Sequence, residues 1–152
     1  DCSECFETFE WTWTCIEANC GSCALCLAVV AANARTLLTD GSDLRGADLA
    51  GMDFSHSYMQ RLDLSGANLS GADLSHTKLF GANLAGADLS EANLVGADLT
   101  QANLAGANLT GADLSQAMLY GASLAEADLS GATIDQKIPS GVNLTGVIGY
   151  NP

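Results

Sequence analysis

Basic side chains are scarce in this chain. It holds five Lys and Arg residues against eighteen Asp and Glu residues, and its formal charge is −13 at pH 7. A protein that binds nucleic acid needs clustered cationic side chains to neutralise phosphates. The composition therefore argues against a nucleic-acid partner, and it fits a soluble acidic surface or a basic protein partner.

Long apolar runs are missing as well. The stretch ALCLAVVAA, at residues 24–32, has nine residues before Asn33 and Arg35, whereas a membrane-spanning helix needs about 20. It also follows an acidic segment instead of the basic one that begins a signal peptide. We therefore predict no membrane span. Because the sequence begins with Asp1, we expect that a leader has been removed, or that the sequence is a trimmed piece.

Catalytic signatures are absent too. No nucleophilic side chain sits beside a plausible base, and no glycine-rich loop opens a helix as a phosphate site requires. The carboxylates follow a regular pattern that is typical of a solvated surface. The sequence thus predicts a non-enzymatic protein without a cofactor, which serves as a structural or protein-binding module.

Cysteine is confined to one end of the chain, because all six cysteines fall within the first 26 residues. The composition then changes near residues 39–42, after which Leu, Ala, Gly, Asp, Asn and Ser dominate. We predict two domains, residues 1–40 and residues 41–152.

Beyond that boundary an apolar residue, usually Leu, returns at every fifth position. Residues 81–114 read GANLAGADLSEANLVGADLTQANLAGANLTGADL, and the same phase runs from Leu44 to Ile134. The residue two before each centre is small, usually Ala, and the residue just before it is mostly Asp or Asn. A fixed internal period indicates a solenoid. We expect the large and the small residue of each unit to face inward, with turn-forming residues between units.

This A-[D/N]-L-x-x unit resembles the consensus of the pentapeptide-repeat family over residues 42–147. The resemblance implies a mainly β fold, a right-handed quadrilateral parallel β-helix with twenty residues per coil. Stacked at a strand spacing of roughly 4.8 Å, about five coils should rise to about 24 Å. At the C-terminal end the phase places Pro139 where a Leu is expected, and Leu144 returns on schedule.

A twenty-residue coil sorts outward residues into vertical columns. One column alternates acid with amide, which avoids stacking like charges, so we interpret it as structural: Asp48, Asn68, Asp88, Asn108, Asp128. Another side departs from the repeat, and exposed aromatic and Met side chains on one side suggest a contact surface. The predicted contact residues are Tyr58, Lys78, Phe80, Met118 and Tyr120. The alternative is that outward positions vary because nothing constrains them.

Two histidines, His56 and His76, also lie twenty residues apart. They would stack at the corner that leads into the predicted contact side. Two histidines without a third placed ligand do not make a metal site, so we predict no metal there.

The first forty residues predict a helical hairpin. Apolar residues at positions 2, 6, 9, 13, 16 and 20 share one helical face. Gly21 ends this first helix, and a second helix is expected over about residues 22–38. Such a hairpin would cover the N-terminal mouth of the solenoid, which otherwise exposes apolar residues and strand edges.

Six cysteines in this segment suggest an oxidising compartment. If the hairpin turns near residues 20–21, Cys15 lies opposite Cys26, and two C-x-x-C pairs remain, Cys2 with Cys5 and Cys20 with Cys23. Two alternatives stay open. The cluster Cys15, Cys20, Cys23 and Cys26 has spacing that also occurs in zinc and iron–sulfur sites, and the thiols could instead be free or redox-active.

We therefore expect a structural or protein-binding solenoid of an extracytoplasmic compartment: the periplasm, a thylakoid lumen or the secreted space. Its protein partner is unidentified. The C-terminal end is either covered by the short tail with Tyr150 or paired with a second copy in a homodimer. The family resemblance implies one alternative, an acidic DNA mimic that binds a type II topoisomerase as a dimer in the cytoplasm.

Overall fold

The computed structural model describes residues 44–135 and 137–150. Each regular five-residue unit contributes one bridge residue and a tight turn, so these residues form isolated β-bridges, with neither a helix nor a longer strand among them. Every bridge is parallel and joins residues twenty positions apart, as Asp48 pairs with Asn68. Four bridges and four turns in twenty residues make a four-sided coil, and the expected parallel β-helix is confirmed.

The bridges form four vertical columns, one on each side of the coil. We name each side after the first residue of its column. They are the Asp48 side (Asp48, Asn68, Asp88, Asn108, Asp128, Ile148), the Asp53 side (Asp53, Asp73, Asn93, Asp113, Thr133), the Tyr58 side (Tyr58, Lys78, Asp98, Met118) and the Asp63 side (Asp63, Asn83, Asn103, Ser123, Asn143).

Backbone hydrogen bonds between successive coils hold the stack together. The Leu49 N–H donates to the Asn68 carbonyl at 2.7 Å, and the Asn68 N–H donates to the Ala47 carbonyl at 2.9 Å. A third bond joins the corners, where the Gly51 N–H donates to the Ser70 carbonyl at 2.8 Å. Because this set recurs from unit to unit, each coil becomes the template for the next.

The corners are turns whose third residue needs a positive φ. At the corner that begins with Leu64, the Ala67 N–H donates to the Leu64 carbonyl at 3.0 Å, and the φ of Gly66 is 67°. Glycine suits this type II geometry best, yet seven described corners hold other residues: His56, Arg61, His76, Glu91, Gln101, Gln116 and Glu126.

Long side chains at these corners lie over the corner of the next coil. A Cβ added to Gly96 would lie 2.5 Å from Nδ1 of His76, and one added to Gly81 would lie 3.5 Å from Cγ of Arg61. A side chain at position 96 would thus meet His76, whereas 3.5 Å at position 81 is an ordinary contact.

The core is a column of large side chains flanked by small ones. The centre residues from Leu44 to Leu129 are buried, and the Ala residue two before each centre fills the narrower space beside the wall. The N-terminal coils depart from this rule with larger residues, since Phe54 and Met59 are centres and Leu62 replaces an Ala. The buried Thr77 hydroxyl donates to the Phe54 carbonyl at 2.7 Å, and no buried side-chain polar atom in the described residues lacks a partner.

The burial pattern changes near the C-terminal end, although the turn phase does not: the Val142 N–H donates to the Pro139 carbonyl at 3.4 Å, as in the other corners. Pro139 is half-buried, and its neighbour Ile138 is the residue that joins the core, with 6% of its surface exposed. Proline has no N–H to donate to the ladder, and no bridge among the described residues continues the Tyr58 side beyond Met118. The five-residue register therefore continues through Pro139, and bridges return at Asn143 and Ile148.

The predicted helical hairpin at residues 1–40 lies outside the described residues, as do the first residues of the predicted repeat domain. The hairpin and the domain boundary stay predictions.

Candidate protein-binding surface

The Tyr58 side gathers the outward residues that break the repeat. It is built from the units 57–61, 77–81, 97–101 and 117–121, and unit 137–141 follows at the C-terminal end. Their centres Met59, Leu79, Leu99 and Leu119 are buried at 0–1% exposure. Buried centres fix the backbone, so the alternate side chains of the same units must point outward.

Exposed apolar surface concentrates on this side. Large apolar side chains are exposed at four described positions, and three of them belong to the Tyr58 side: Tyr58 (56%), Met118 (46%) and Tyr120 (68%). Phe80 and Lys78, the other two predicted contact residues, are half-buried. The structure therefore brings all five predicted residues onto one side, from the first complete coil to the fourth.

Cationic side chains gather there too, which the sequence interpretation missed. The described residues contain four Lys and Arg residues, of which Arg61, Lys78 and Lys137 stand in units of the Tyr58 side. Asp98 is the only carboxylate in those units, whereas the other described carboxylates stand in units of the other sides. The signal for Arg61 and Lys137 was present in the sequence, because sorting every charged residue by the twenty-residue period places them here.

The other three sides use their polar residues for structure. The amide of Asn68 donates to Oδ1 of Asp48 at 3.0 Å, and the amide of Asn108 donates to Oδ1 of Asp88 at 3.1 Å. These alternating pairs agree with the structural interpretation of that column. A side-chain oxygen also accepts the N–H two residues later, as Asp63 does from Ser65 at 3.1 Å, which closes an Asx turn.

Serine hydrogen bonds stabilise the charged form of four carboxylates. The Ser65 hydroxyl donates to Oδ1 of Asp63 at 2.7 Å, and this bond is the main cause that lowers the pKa of Asp63. The same hydroxyl contact from the serine two residues later lowers the pKa of Asp53, Asp113 and Asp128. These groups are committed to local turns, so we assign them no role in binding.

The two histidines form a stacked pair on the corner between the Asp53 side and the Tyr58 side. The ring centroids of His56 and His76 are 5.0 Å apart, with 16° between the ring planes. Within residues 44–135 and 137–150, no cluster of three or more His, Cys, Asp or Glu side chains is placed to hold a metal ion. The pair therefore has a structural explanation, because the rings stack along the corner column above Gly96.

The cysteine predictions cannot be compared with this geometry. Cys2, Cys5, Cys15, Cys20, Cys23 and Cys26 all lie outside the described residues, so both the disulfide pairing and the metal alternative stay predictions. In the part of the chain that the structure describes, no helix is long and apolar enough to cross a bilayer.

A comparison with protein-family models shows which family the chain belongs to. The family model for pentapeptide repeats matches residues 40–71, 67–104 and 97–136, with eight copies of the repeat. The chain belongs to the pentapeptide-repeat family. Members of this family form right-handed quadrilateral β-helices, and they are generally non-enzymatic structural or binding solenoids. Comparison with curated proteins finds no match.

Solved pentapeptide-repeat structures resemble the described fold. A protein from the cyanobacterium Cyanothece 51142 is 32% identical with a TM-score of 0.59, and the match covers 70% of this chain and 82% of that one. A protein from the Arabidopsis thaliana thylakoid lumen is 36% identical with a TM-score of 0.52, and the match covers 64% and 69% of the two chains.

A looser likeness involves QnrB1, described as a plasmid-mediated fluoroquinolone resistance protein. It is 25% identical with a TM-score of 0.47, and the match covers 69% of this chain and 58% of that one. A TM-score this low gives no ground for transferring its role to this chain.

Proposed function

We propose that this pentapeptide-repeat protein is a non-enzymatic protein-binding scaffold of an extracytoplasmic compartment, and that the Tyr58 side is its contact surface. One observation carries the proposal: three of the four exposed large apolar side chains in the described residues share this side. Scattered exposed apolar residues need no explanation, but a cluster on one side of a soluble protein is typical of an interaction site.

The solenoid makes this side a rigid platform. Each outward residue lies between two ladder bonds, since the Lys78 N–H donates to the Ser57 carbonyl at 2.8 Å and the Met59 N–H donates to the Lys78 carbonyl at 2.8 Å. A backbone held in this way loses little conformational freedom on binding. Tyr58, Phe80 and Tyr120 then bring large contact areas at low entropic cost, as interface anchors do.

The acidic sides would act on partner choice more than on affinity. Exposed carboxylates steer the approach of a partner and repel wrong ones, while the buried aromatic contacts carry most of the binding energy. We expect binding to weaken little at high salt and its association rate to change more.

Two observations support the extracytoplasmic assignment. The six cysteines within the first 26 residues favour an oxidising compartment, and one similar structure comes from a thylakoid lumen. Mass spectrometry of the unreduced protein tests the assignment. Three disulfides, each lowering the mass by two hydrogens, would support it, whereas free thiols would favour the cytoplasm.

The alternative, a DNA mimic that binds a type II topoisomerase, fits the charge distribution less well. A DNA duplex is negative on every side, but the Tyr58 side holds three cations and one carboxylate. Free thiols together with a dimer in solution would revive this alternative.

The C-terminal end is the expected dimer contact. Its last coil carries half-buried Val142, Leu144 and Val147, with Ile148 56% exposed. Light scattering tests this proposal: the wild type should be dimeric, and Ile148→Asp, at an outward position that is 56% exposed, should be monomeric with unchanged folding. A monomeric wild type would refute the dimer and leave the Tyr58 side unaffected.

The double variant Phe80→Ser/Tyr120→Ser tests the contact surface. Its outward positions carry little of the stack's stability, so folding should match the wild type by circular dichroism while recovery of a co-purifying partner is lost. Asn103→Ser is the control, because it shortens an exposed side chain on the Asp63 side, away from the expected dimer contact. Equal partner recovery by the double variant and the wild type would refute the role of the Tyr58 side.

A further inference from the structure

The charge of the Tyr58 side is opposite to that of the remaining described residues. Arg61, Lys78 and Lys137 stand in its units with Asp98 as the one carboxylate, so three cations and one carboxylate leave a formal charge of +2. The remaining described residues hold one cation and ten carboxylates. The side that exposes the aromatic residues is therefore a local cationic surface on an acidic protein.

The corners that border this side carry no carboxylate among their described residues. The edge toward the Asp53 side consists of His56, His76, Gly96 and Gln116. The edge toward the Asp63 side consists of Arg61, Gly81, Gln101, Gly121 and Gly141. Both acidic corner residues of the described repeat, Glu91 and Glu126, belong to the other two corners. An edge without acidic residues thus separates the cationic surface from the carboxylates of the other sides.

Cations and aromatic rings meet near the N-terminal end of this side. Lys78 follows Tyr58 in the bridge column, about 4.8 Å away at strand spacing, and Phe80 stands in the same unit as Lys78. The stem of Arg61 lies over Gly81, because a Cβ added there would be 3.5 Å from Cγ of Arg61. Positive charge and aromatic surface are therefore presented together.

The single carboxylate of this side belongs to a local turn. Oδ1 of Asp98 accepts the Thr100 N–H at 3.2 Å, and Asp98 is half-buried in the bridge column. Toward the C-terminal end the side continues with exposed Met118 and Tyr120. An occupant can therefore place acidic groups on the cations and apolar groups on the remaining surface.

We propose that the partner of the Tyr58 side is an acidic protein segment that carries aromatic or other apolar side chains. This inference rests on the proposed role of that side as a contact surface and names the chemistry of its partner. Carboxylates of the segment approach Lys78 and Lys137. Its apolar side chains pack against Tyr58, Phe80, Met118 and Tyr120.

The net charge of −13 does not exclude an acidic partner. The Debye length at physiological ionic strength is about 8 Å, so a segment in contact with this side interacts with the nearest charges more strongly than with carboxylates beyond the corners. The acidic sides repel the rest of an acidic partner, and this repulsion restricts its contact to the Tyr58 side. Local attraction and overall repulsion together favour a partner whose acidic groups are confined to the contact segment.

The length of the surface fits a short segment better than a long polyanion. Four coils of twenty residues separate the unit of Tyr58 from the unit of Lys137, about 19 Å at strand spacing. An extended peptide covers this distance with about six residues. A nucleic-acid strand carries a phosphate at every nucleotide and needs more cations along its path than this side provides.

Fluorescence anisotropy with synthetic peptides tests the proposal. The probe is a capped peptide of about eight residues that alternates glutamate with phenylalanine and carries an uncharged fluorophore. Its matched control has lysine in place of each glutamate. We expect the wild-type chain to bind the acidic peptide with a Kd about tenfold lower than that of the basic peptide. Lys78→Glu replaces an attractive contact with a repulsive one and should raise the Kd of the acidic peptide about fivefold.

Matched variants locate the contact. Arg45→Glu makes the same change of charge on the Asp63 side, and it should leave the Kd within about twofold of the wild-type value. Lys137→Glu is a second reversal on the Tyr58 side and should weaken binding as Lys78→Glu does. Circular dichroism must show the same solenoid in each variant.

Four outcomes would overturn the inference. A lower Kd for the basic peptide, or binding of neither peptide at millimolar concentration, would remove the acidic partner. Equal Kd values for the wild type and both lysine variants would place the peptide elsewhere. An equal effect of Arg45→Glu would reduce the contact to non-specific charge. Tighter binding of a labelled oligothymidine than of the acidic peptide would assign the surface to single-stranded nucleic acid.

The contact role of the Tyr58 side is tested separately. If the acidic peptide failed while Phe80→Ser/Tyr120→Ser still lost the co-purifying partner, the side would remain a contact surface for a partner of different charge. If the acidic peptide bound as expected while that double variant kept its partner, the proposed function would fail instead.

Discussion

Leu94→Asp tests the inward phase of the repeat in the middle of the stack. Leu94 has no exposed surface, and the centres twenty residues before and after it, Leu74 and Leu114, are equally buried. The Leu94 N–H donates to the Asp113 carbonyl at 2.7 Å, which fixes the direction of the side chain toward the axis. An aspartate at this position would therefore face apolar side chains above and below.

The expected loss is a large part of the total stability. Truncating a buried Leu costs about 2–5 kcal/mol, and an aspartate that buries a carboxyl without a hydrogen-bond partner adds about 2 kcal/mol or more. A domain of this size is stable by about 5–15 kcal/mol. Because each coil is the template for its neighbours, the damage divides the stack into two short halves.

Thermal unfolding followed by circular dichroism measures the effect. A loss of about 5 kcal/mol corresponds to a Tm at least about 20 °C lower, and the variant should be partly unfolded at room temperature. Val95→Asp is the control, since it places the same carboxylate one residue later at a half-exposed corner. If the Tm of Leu94→Asp stayed within a few degrees of the wild type, position 94 would face outward and the phase would be wrong.

Three further predictions concern the corners, the carboxylates and the cysteines. Gly96→Ala should lower the Tm more than Gly86→Ala. Both glycines have positive φ, but only a Cβ at position 96 would meet His76. His76→Gly should remove the difference, and equal effects of the two alanine variants would show that His76 does not constrain that corner. Serine hydrogen bonds hold the folded-state pKa of Asp53, Asp63, Asp113 and Asp128 below the unfolded value. Their contribution to stability is therefore full above the unfolded pKa, about 3.9, and is lost as the pH falls through the folded pKa. The Tm should drop below about pH 4, and it should drop less steeply in Ser65→Ala; the same slope in that variant would contradict the assignment. Reducing a Cys15–Cys26 disulfide should destabilise the N-terminal segment by about 2–4 kcal/mol and leave the coils folded. A chelator should change neither the helix signal nor the stability. Release of zinc or iron with loss of the helix signal would instead establish the metal alternative.

The core could be predicted from the sequence because one rule repeats without interruption. The five-residue phase places Leu49, Leu69, Leu89 and Leu109 inward, and all four are fully buried. The five-residue period alone does not determine how many sides a coil has. The resemblance to the pentapeptide-repeat family implied four sides. The bridges at a spacing of twenty residues confirm that shape independently.

The burial rule fails at Pro139 although the turn phase holds. Counting by five places Pro139 in the core, but the structure buries Ile138 and leaves Pro139 half-buried. Nothing in the count itself signals this exchange, since Leu144 returns in phase with the units before it.

The contact side was predictable only in part. Sorting the aromatics by twenty residues brought Tyr58 and Tyr120 together, and the structure exposes both. The structure leaves Phe80 half-buried, which the count does not indicate. The predicted site also omitted Arg61 and Lys137, whose charges distinguish this side from the acidic sides.

Carbodiimide cross-linking of the protein with its co-purifying partner tests most directly whether the Tyr58 side is the contact surface. The reagent joins an amine to a carboxylate in direct contact, and both lysines of the chain, Lys78 and Lys137, stand in units of this side. We predict cross-links from Lys78 or Lys137 to carboxylates of the partner. If the partner stayed bound and peptide mapping found neither lysine joined to it, the Tyr58 side would not be the contact surface and the account of that surface would be contradicted.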